Sequence, residues 1–434
     1  MIQQGHDGGQ CQAALVREVH EEVLAQLDLR RTDVAGLADA PLRAIVGRMV
    51  EGIVRRRVLP AGIDAGRLVR SVLDETLGLG PLESLLADES ITEVMINGPE
   101  RIFVERAGRI DPVSATFSSD KALRGVIERM VGAAGRRVDE ASPMVDARLR
   151  NGSRVNVILP PLALHGPVVT IRKFARSRLD MVALVERGTL SAAMARFLRV
   201  AVQARRNIVV SGGTGCGKTT LLNAIAGYIP AGERVITIED AAELSLHHAH
   251  VVSLEARPRN AEGQGEVLIR DLVRNALRMR PDRIIVGECR GSETLDMLQA
   301  MNTGHEGSLT TAHANSPRDL LSRLEIMALM AGIELPLAAI RAQIAGAIDL
   351  IVHQVRQASG ARRVTSIVEV TGLDSGVVQT QELFRFDPLG CASAVAGSEF
   401  RSCGTVPGFF ERLGIREPLE DAAGANPVAP DALA

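Results

Sequence analysis

An α/β fold is predicted for the larger part of this 434-residue chain. Three observations carry the prediction. Across residues 191–386, short β-rich runs (208–210, 235–238, 283–286, 309–311 and 350–352) are spaced by helical patterns, as in a mostly parallel sheet with crossover helices. Polar or glycine motifs follow four of these runs at once: 212–219, Glu239-Asp240, Gly287-Glu288 and Ala312-His313. The carboxyl ends of strands in an open parallel sheet share one edge, where ligands bind, so the four signals converge. Finally, 46% apolar and 24% charged residues are a globular composition, and the length allows two or three domains with real cores.

The first of these motifs is the most specific. After the run 208–210 the chain reads Gly212, Gly213, Thr214, Gly215, Cys216, Gly217, Lys218, Thr219, Thr220, and then continues in a helical pattern. The spacing Gly212-x-x-x-x-Gly217-Lys218-Thr219 is that of a phosphate-binding loop. Glycines let the backbone approach closely and turn through positive φ, so successive N–H groups can wrap a polyphosphate. The following helix N-terminus favours an anion. Lys218 reaches the terminal phosphates, and the Thr219 hydroxyl can hold Mg²⁺. A nucleotide with Mg²⁺ is therefore the expected ligand.

Earlier in the chain the pattern differs. Residues 1–77 read as a helical region, with Val16, Val23, Leu24 and Leu27, then Leu42, Ile45, Val46, Met49, Val50 and Ile53, at helical spacing. Gly78-Leu79-Gly80-Pro81 breaks it. Residues 78–174 mix short strands with helices, including a hairpin at the turn Asn97-Gly98-Pro99 and strands at 153–159 and 168–174. Arg154 and Arg172 lie near strand ends, where surface solubility is the ordinary explanation. Residues 175–190 read as a linker, 191–386 as the α/β domain, and 387–434 as an extension with a disordered end.

Composition weighs against some partners without excluding them. Lys and Arg total 50 against 52 Asp and Glu, and aromatics are only 2%. No basic field or base-stacking platform is offered to nucleic acid. The five cysteines are scattered, without a C-x-x-C pair, which suits a reducing, cytoplasmic setting. No run is long and apolar enough to span a membrane, so any membrane association is expected to be indirect.

Among the strand-end acids, Glu239, Asp240 and Glu243 can order Mg²⁺ or its waters, although they also suit helix capping. Glu288 can orient or deprotonate an attacking water and is preferred as base, with Glu239 the runner-up. His305 and His313 bracket the run 309–311, and one of them can sense a γ-phosphate; His247, His248 and His250 read as polar surface. Arg270, Arg274 and Arg278 repeat at i, i+4, i+8 on a helix. Such a row of like charge is easier to explain if it faces acid, a phosphate or a neighbouring subunit.

These motifs, with Gly78-Leu79-Gly80-Pro81-Leu82, Pro143-Met144-Val145-Asp146-Ala147-Arg148-Leu149, Thr170-Ile171-Arg172-Lys173-Phe174 and Leu277-Arg278-Met279-Arg280-Pro281-Asp282-Arg283, resemble one family. The sequence is similar to the CpaF-type ATPases of tight-adherence pilus systems, within the type II/type IV secretion ATPase superfamily. The resemblance covers residues 78–386. It implies a RecA-like P-loop NTPase motor domain preceded by a PAS-like α+β domain, assembled as a homo-hexamer with nucleotide between the two domains. It makes Glu288 the Walker B carboxylate, Glu239, Asp240 and Glu243 an acidic box, and His305 and His313 a histidine box. It also brings Arg148, Arg154 and Arg172 near the phosphates. Hydrolysis would drive pilus assembly or secretion through inner-membrane platform proteins, from the inner face of that membrane. A conjugation-type DNA-transfer motor, a pilus-retraction motor and a nucleotide-gated scaffold with little turnover remain as alternatives. The family usually has Ser at the position of Cys216; a thiol at a helix N-terminus is expected to have a lowered pKa and to be oxidation-sensitive.

Overall fold

The computed structural model describes residues 4–29, 39–60, 62–106, 108–149, 151–174, 179–257, 259, 264–387 and 400–412. It divides into two compact units, Met1–Arg176 and Ser177–Ala434.

The first unit begins with helices Gln4–Leu29, Asp39–Arg55 and Ala65–Leu77. Val19, Val23, Val46, Val50, Ile53, Leu68 and Val72 form their common core. A six-stranded sheet follows: β1 (Ile91–Asn97), β2 (Ile102–Arg106), β3 (Arg109–Val113), β4 (Met144–Arg148), β5 (Arg154–Ile158) and β6 (Val168–Arg172). Its order is β3-β2-β1-β6-β5-β4 and every pairing is antiparallel. The helix Asp120–Ala133 packs Leu123, Val126, Ile127 and Met130 into the core that the strands share. Ser119 starts that helix by accepting from the N–H of Ala122. The expected hairpin is present, with β1 and β2 paired around Gly98, whose φ is 82°.

In the second unit the alternation of runs becomes a nine-stranded sheet. Its strands are β7 (Ile208–Gly212), β8 (Val235–Glu239), β9 (Val251–Glu255), β10 (Arg283–Cys289), β11 (Leu309–His313), β12 (Leu350–Arg356), β13 (Arg362–Asp374), β14 (Val377–Phe386) and β15 (Phe400–Ser402). The order is β15-β14-β13-β12-β7-β11-β10-β8-β9. Pairings from β12 through β9 are parallel, and β13 to β15 add an antiparallel flank. All five expected runs are strands. Sequence reading missed β9 and the long hairpin β13–β14. Both carry alternating polar residues, which weakened the apolar signal.

Side chains of β7 show why the sheet is covered twice. Ile208 and Val210 belong to one core, with the helices Ala192–Gln203 and Lys218–Ala226. Val209 belongs to the other, with Glu293–Asn302, Pro317–Leu329 and Leu337–Ala347. Successive strand residues point to opposite faces, so a strand buried on both faces reads as a continuous apolar run. The segment 175–190, expected as a linker, contains the helix Met181–Glu186, whose Met181 and Leu184 enter the first of these cores. Phe409 and Phe410, from the expected extension, join the same core against Phe197. The last dozen residues, read as disordered, lie outside the described residues. Among the described residues, no helix is long and apolar enough to cross a membrane.

Candidate nucleotide site

The carboxyl ends of β7, β11, β10 and β8 lie side by side, and each carries its polar motif. The helix Lys218–Ala226 starts directly after the glycine loop, with Gly217 in the left-handed region at φ 98°. A side chain there would be strained. Gly212 is required for space: a Cβ on it would stand 2.1 Å from the Gln354 carbonyl oxygen. The chain between them can therefore lie flat and turn its N–H groups outward, which is the cradle a polyphosphate needs.

Lys218 is buried and donates to the carbonyls of Gly212 at 3.2 Å and Gly213 at 3.0 Å. Its ammonium stands 3.3 Å from His313 Nδ1. It is also 3.5 Å from Nε2, which lies 2.7 Å from Glu288 Oε1. The approach of Nε2 to that oxygen is close but is not aligned as a hydrogen bond. Burial first, then the Lys218 charge, lowers the His313 pKa, and Glu288 opposes them. Glu288 also receives Arg290 Nη2 at 2.6 Å on its other oxygen. The register of β10 slips between Val286 and Cys289, and this bulge lies at Gly287-Glu288. Bulges commonly re-aim side chains beside active sites.

Glu239, the last residue of β8, is buried and does different work. Its Oε1 accepts from the N–H groups of Glu243 at 2.8 Å and Leu244 at 2.9 Å, tying down the turn after the strand. Its stem lies against Gly287, where a Cβ would come within 2.7 Å of Glu239 Cγ. The Thr219 hydroxyl donates to Glu243 Oε2 at 3.4 Å, and Asp240 is exposed beside them. A hydroxyl next to two acids, above an N–H cradle, is a donor set suited to Mg²⁺ on a phosphate.

A family model for the type II/IV secretion system protein matches residues 75–404. The chain belongs to that family. It is similar to a protein of Mycobacterium tuberculosis named for conjugal transfer, at 40% identity over 69% of this chain and 86% of the relative. It is also similar to the type IV secretion system protein VirB11 of Brucella abortus, at 35% identity over 63% of this chain and 83% of that protein. Among solved structures, the VirB11 ATPase of Brucella suis aligns at 31% identity with a TM-score of 0.37, over 68% of this chain and 97% of the other.

Other residues of this secretion-family chain fall in different places. Arg148, Arg154 and Arg172 form one row in the first unit: Arg148 faces Arg154 across β4–β5, and Arg154 faces Arg172 across β5–β6. Glu93 continues the row on β1. His305 is not brought to the edge that holds His313. It precedes β11, at the opposite end of the strand, roughly 16 Å away at the usual rise. Arg270 and Arg274 meet acid within the chain, at Asp296. Arg278 lies past the end of their helix, Ile269–Ala276. Among the other histidines, His248 bonds the Pro230 carbonyl and Arg234 approaches His250 at 2.6 Å.

The thiol expectation is overturned. Cys216 is 1% exposed, and burial raises its pKa against the opposing pull of Lys218 and Arg362. Desolvation of a thiolate here outweighs the helix terminus and both cations. Sequence reading also missed Arg290, whose signal was its place two residues after Glu288. It missed Gln354, Arg356 and Arg362 as well, which the β7–β12 and β12–β13 pairings bring to the loop.

Proposed function

We propose that the chain is a Mg-dependent ATP hydrolase and a hexameric motor for pilus assembly or secretion, of the CpaF tight-adherence type. The observation that carries this reading is the chain of contacts Lys218–His313–Glu288 at the mouth of the glycine loop. Lys218 can leave the loop carbonyls for the β/γ-phosphate oxygens. Thr219, Glu243 and Asp240 would hold Mg²⁺ directly or through water, and the bound ion would neutralise charge on the phosphates. Glu288 is the better base. Glu239 already spends an oxygen on backbone N–H groups, whereas Glu288 is aimed by a bulge and oriented by His313 and Arg290.

Arg148, Arg154 and Arg172 are proposed to reach the phosphates from a PAS-like domain. The all-antiparallel sheet packed against the helices Leu82–Ala87 and Asp120–Ala133 supports that description. The protein would work at the inner face of the inner membrane, held there by platform proteins. The test is steady-state hydrolysis. Glu288→Gln is expected to lower kcat by about 10²–10⁴-fold, the usual worth of a general base. Equal, near-zero rates in wild type and variant would favour a nucleotide-gated scaffold instead. Because His313 titrates below its ordinary 6.5, activity should hold at neutral pH and fall only as pH drops through that lowered value. A DNA-transfer motor is the second reading, favoured by the conjugal-transfer name of the mycobacterial relative. Stimulation of hydrolysis by single-stranded DNA would support it.

A further inference from the structure

Two arginines flank the glycine loop on the side away from the acids. β7 has β11 on one side, with β10 and β8 beyond it, and β12 on the other. Glu239, Glu288 and His313 therefore all stand on the β11 side. β12 ends at Arg356 and β13 begins at Arg362, and these two residues face each other directly in the antiparallel register. Both are exposed. Two guanidiniums set side by side can both donate to one anion.

Their position indicates which anion. A Cβ on Gly215 would stand 3.7 Å from Arg356 Nη1, and one on Gly217 would stand 3.1 Å from Arg362 Cδ and 3.7 Å from its Nε. Both side chains thus lie over the glycines that shape the phosphate cradle. Beneath them is Gln354, 2% exposed, with Nε2 at 3.6 Å from the same Gly217 position. Its buried Oε1 has no hydrogen-bond partner among the described residues.

We infer that Arg356 and Arg362 bind the nucleoside-proximal phosphate of a nucleoside di- or triphosphate. The inference rests on the nucleotide reading of the glycine loop. The loop wraps the middle phosphate, and the carboxylates and His313 attend the terminal one. The phosphate next to the ribose therefore falls on the hairpin side. Two guanidiniums give it charge-assisted hydrogen bonds.

The experiment uses the full chain and isothermal titration with ADP and, separately, with inorganic pyrophosphate. The double variant Arg356→Ala, Arg362→Ala is expected to bind ADP about tenfold or more weakly, with pyrophosphate binding within twofold of wild type. The double Lys variant should recover part of the loss, and thermal melting of each variant reports folding. ADP affinity within twofold of wild type overturns the inference. So does an equal loss of ADP and pyrophosphate, which would make the arginines general cations. Lys218→Ala separates the two readings: it should weaken both ligands. Wild-type protein that binds neither ligand would sink the nucleotide site itself.

Discussion

Two rows of arginine in this molecule are settled in opposite ways. On the helix Ile269–Ala276, Arg270 and Arg274 converge on one carboxylate, Asp296, at 3.4 and 2.7 Å. Asp296 is only 7% exposed, so the helical row is an internal clamp between two helices. On the sheet of the first unit, Arg148, Arg154 and Arg172 succeed one another across three strands, and Glu93 follows on the next. A repeated charge along an element is thus no guide to its role. The deciding fact is how the fold places the row. Where guanidiniums converge on one buried carboxylate they hold structure together, and where they stand abreast on a sheet they can also offer themselves to an anion from outside.

The largest expected effect tests the strand row. The double variant Arg154→Ala, Arg172→Ala should lower kcat by about 10³-fold, at the lower end of what an arginine contributes to phosphoryl transfer. Its melting temperature should be roughly unchanged, since surface charge contacts contribute little to stability. A loss of less than tenfold would return these residues to the surface-solubility reading and break the contrast.

Next comes Asp296→Ala, which leaves two partly buried guanidiniums without their acid. It should cost about 2–4 kcal/mol in a denaturant titration, as broken buried pairs do. A cost near zero would mean that the clamp is not structural. Arg274→Ala should be the mildest, about 1 kcal/mol or less, since Arg274 is half-exposed and Arg270 keeps Asp296 paired. If Arg274→Ala instead abolished hydrolysis in assembled protein, the helical row would belong to a neighbouring subunit's site.

The same contrast explains what could be read without a structure. The i, i+4 repeat of Arg270 and Arg274 is visible in the sequence, but Asp296 lies 22 residues beyond Arg274 and only helix packing brings it there. The glycine loop and the strand-end acids were legible because the spacing itself dictates the chemistry. His313 could be named, but not its place between Lys218 and Glu288. Its alignment with His305 suggested a pair, yet a five-residue strand separates them. Register is the least legible property. Nothing in the order of residues says that Arg356 opposes Arg362 or that Arg148, Arg154 and Arg172 share a row. Cys216 shows the related limit for burial: its neighbours suggested a thiolate, and the surrounding packing disfavours one.

At the other edge of the large sheet, Arg283 is fully buried. Its guanidinium pairs with Glu233 and donates to the carbonyls of Val202, at 2.9 Å, and Gly307, at 3.2 Å. One side chain therefore rivets together the helix end before β7, the turn before β8, the start of β10 and the approach to β11. A fan fastened at its base can spread only at its rim. If the proposed motor reading holds, strain produced at the glycine loop has no slack to absorb it below, and the second unit should pass each stroke outward through the strand-end loops.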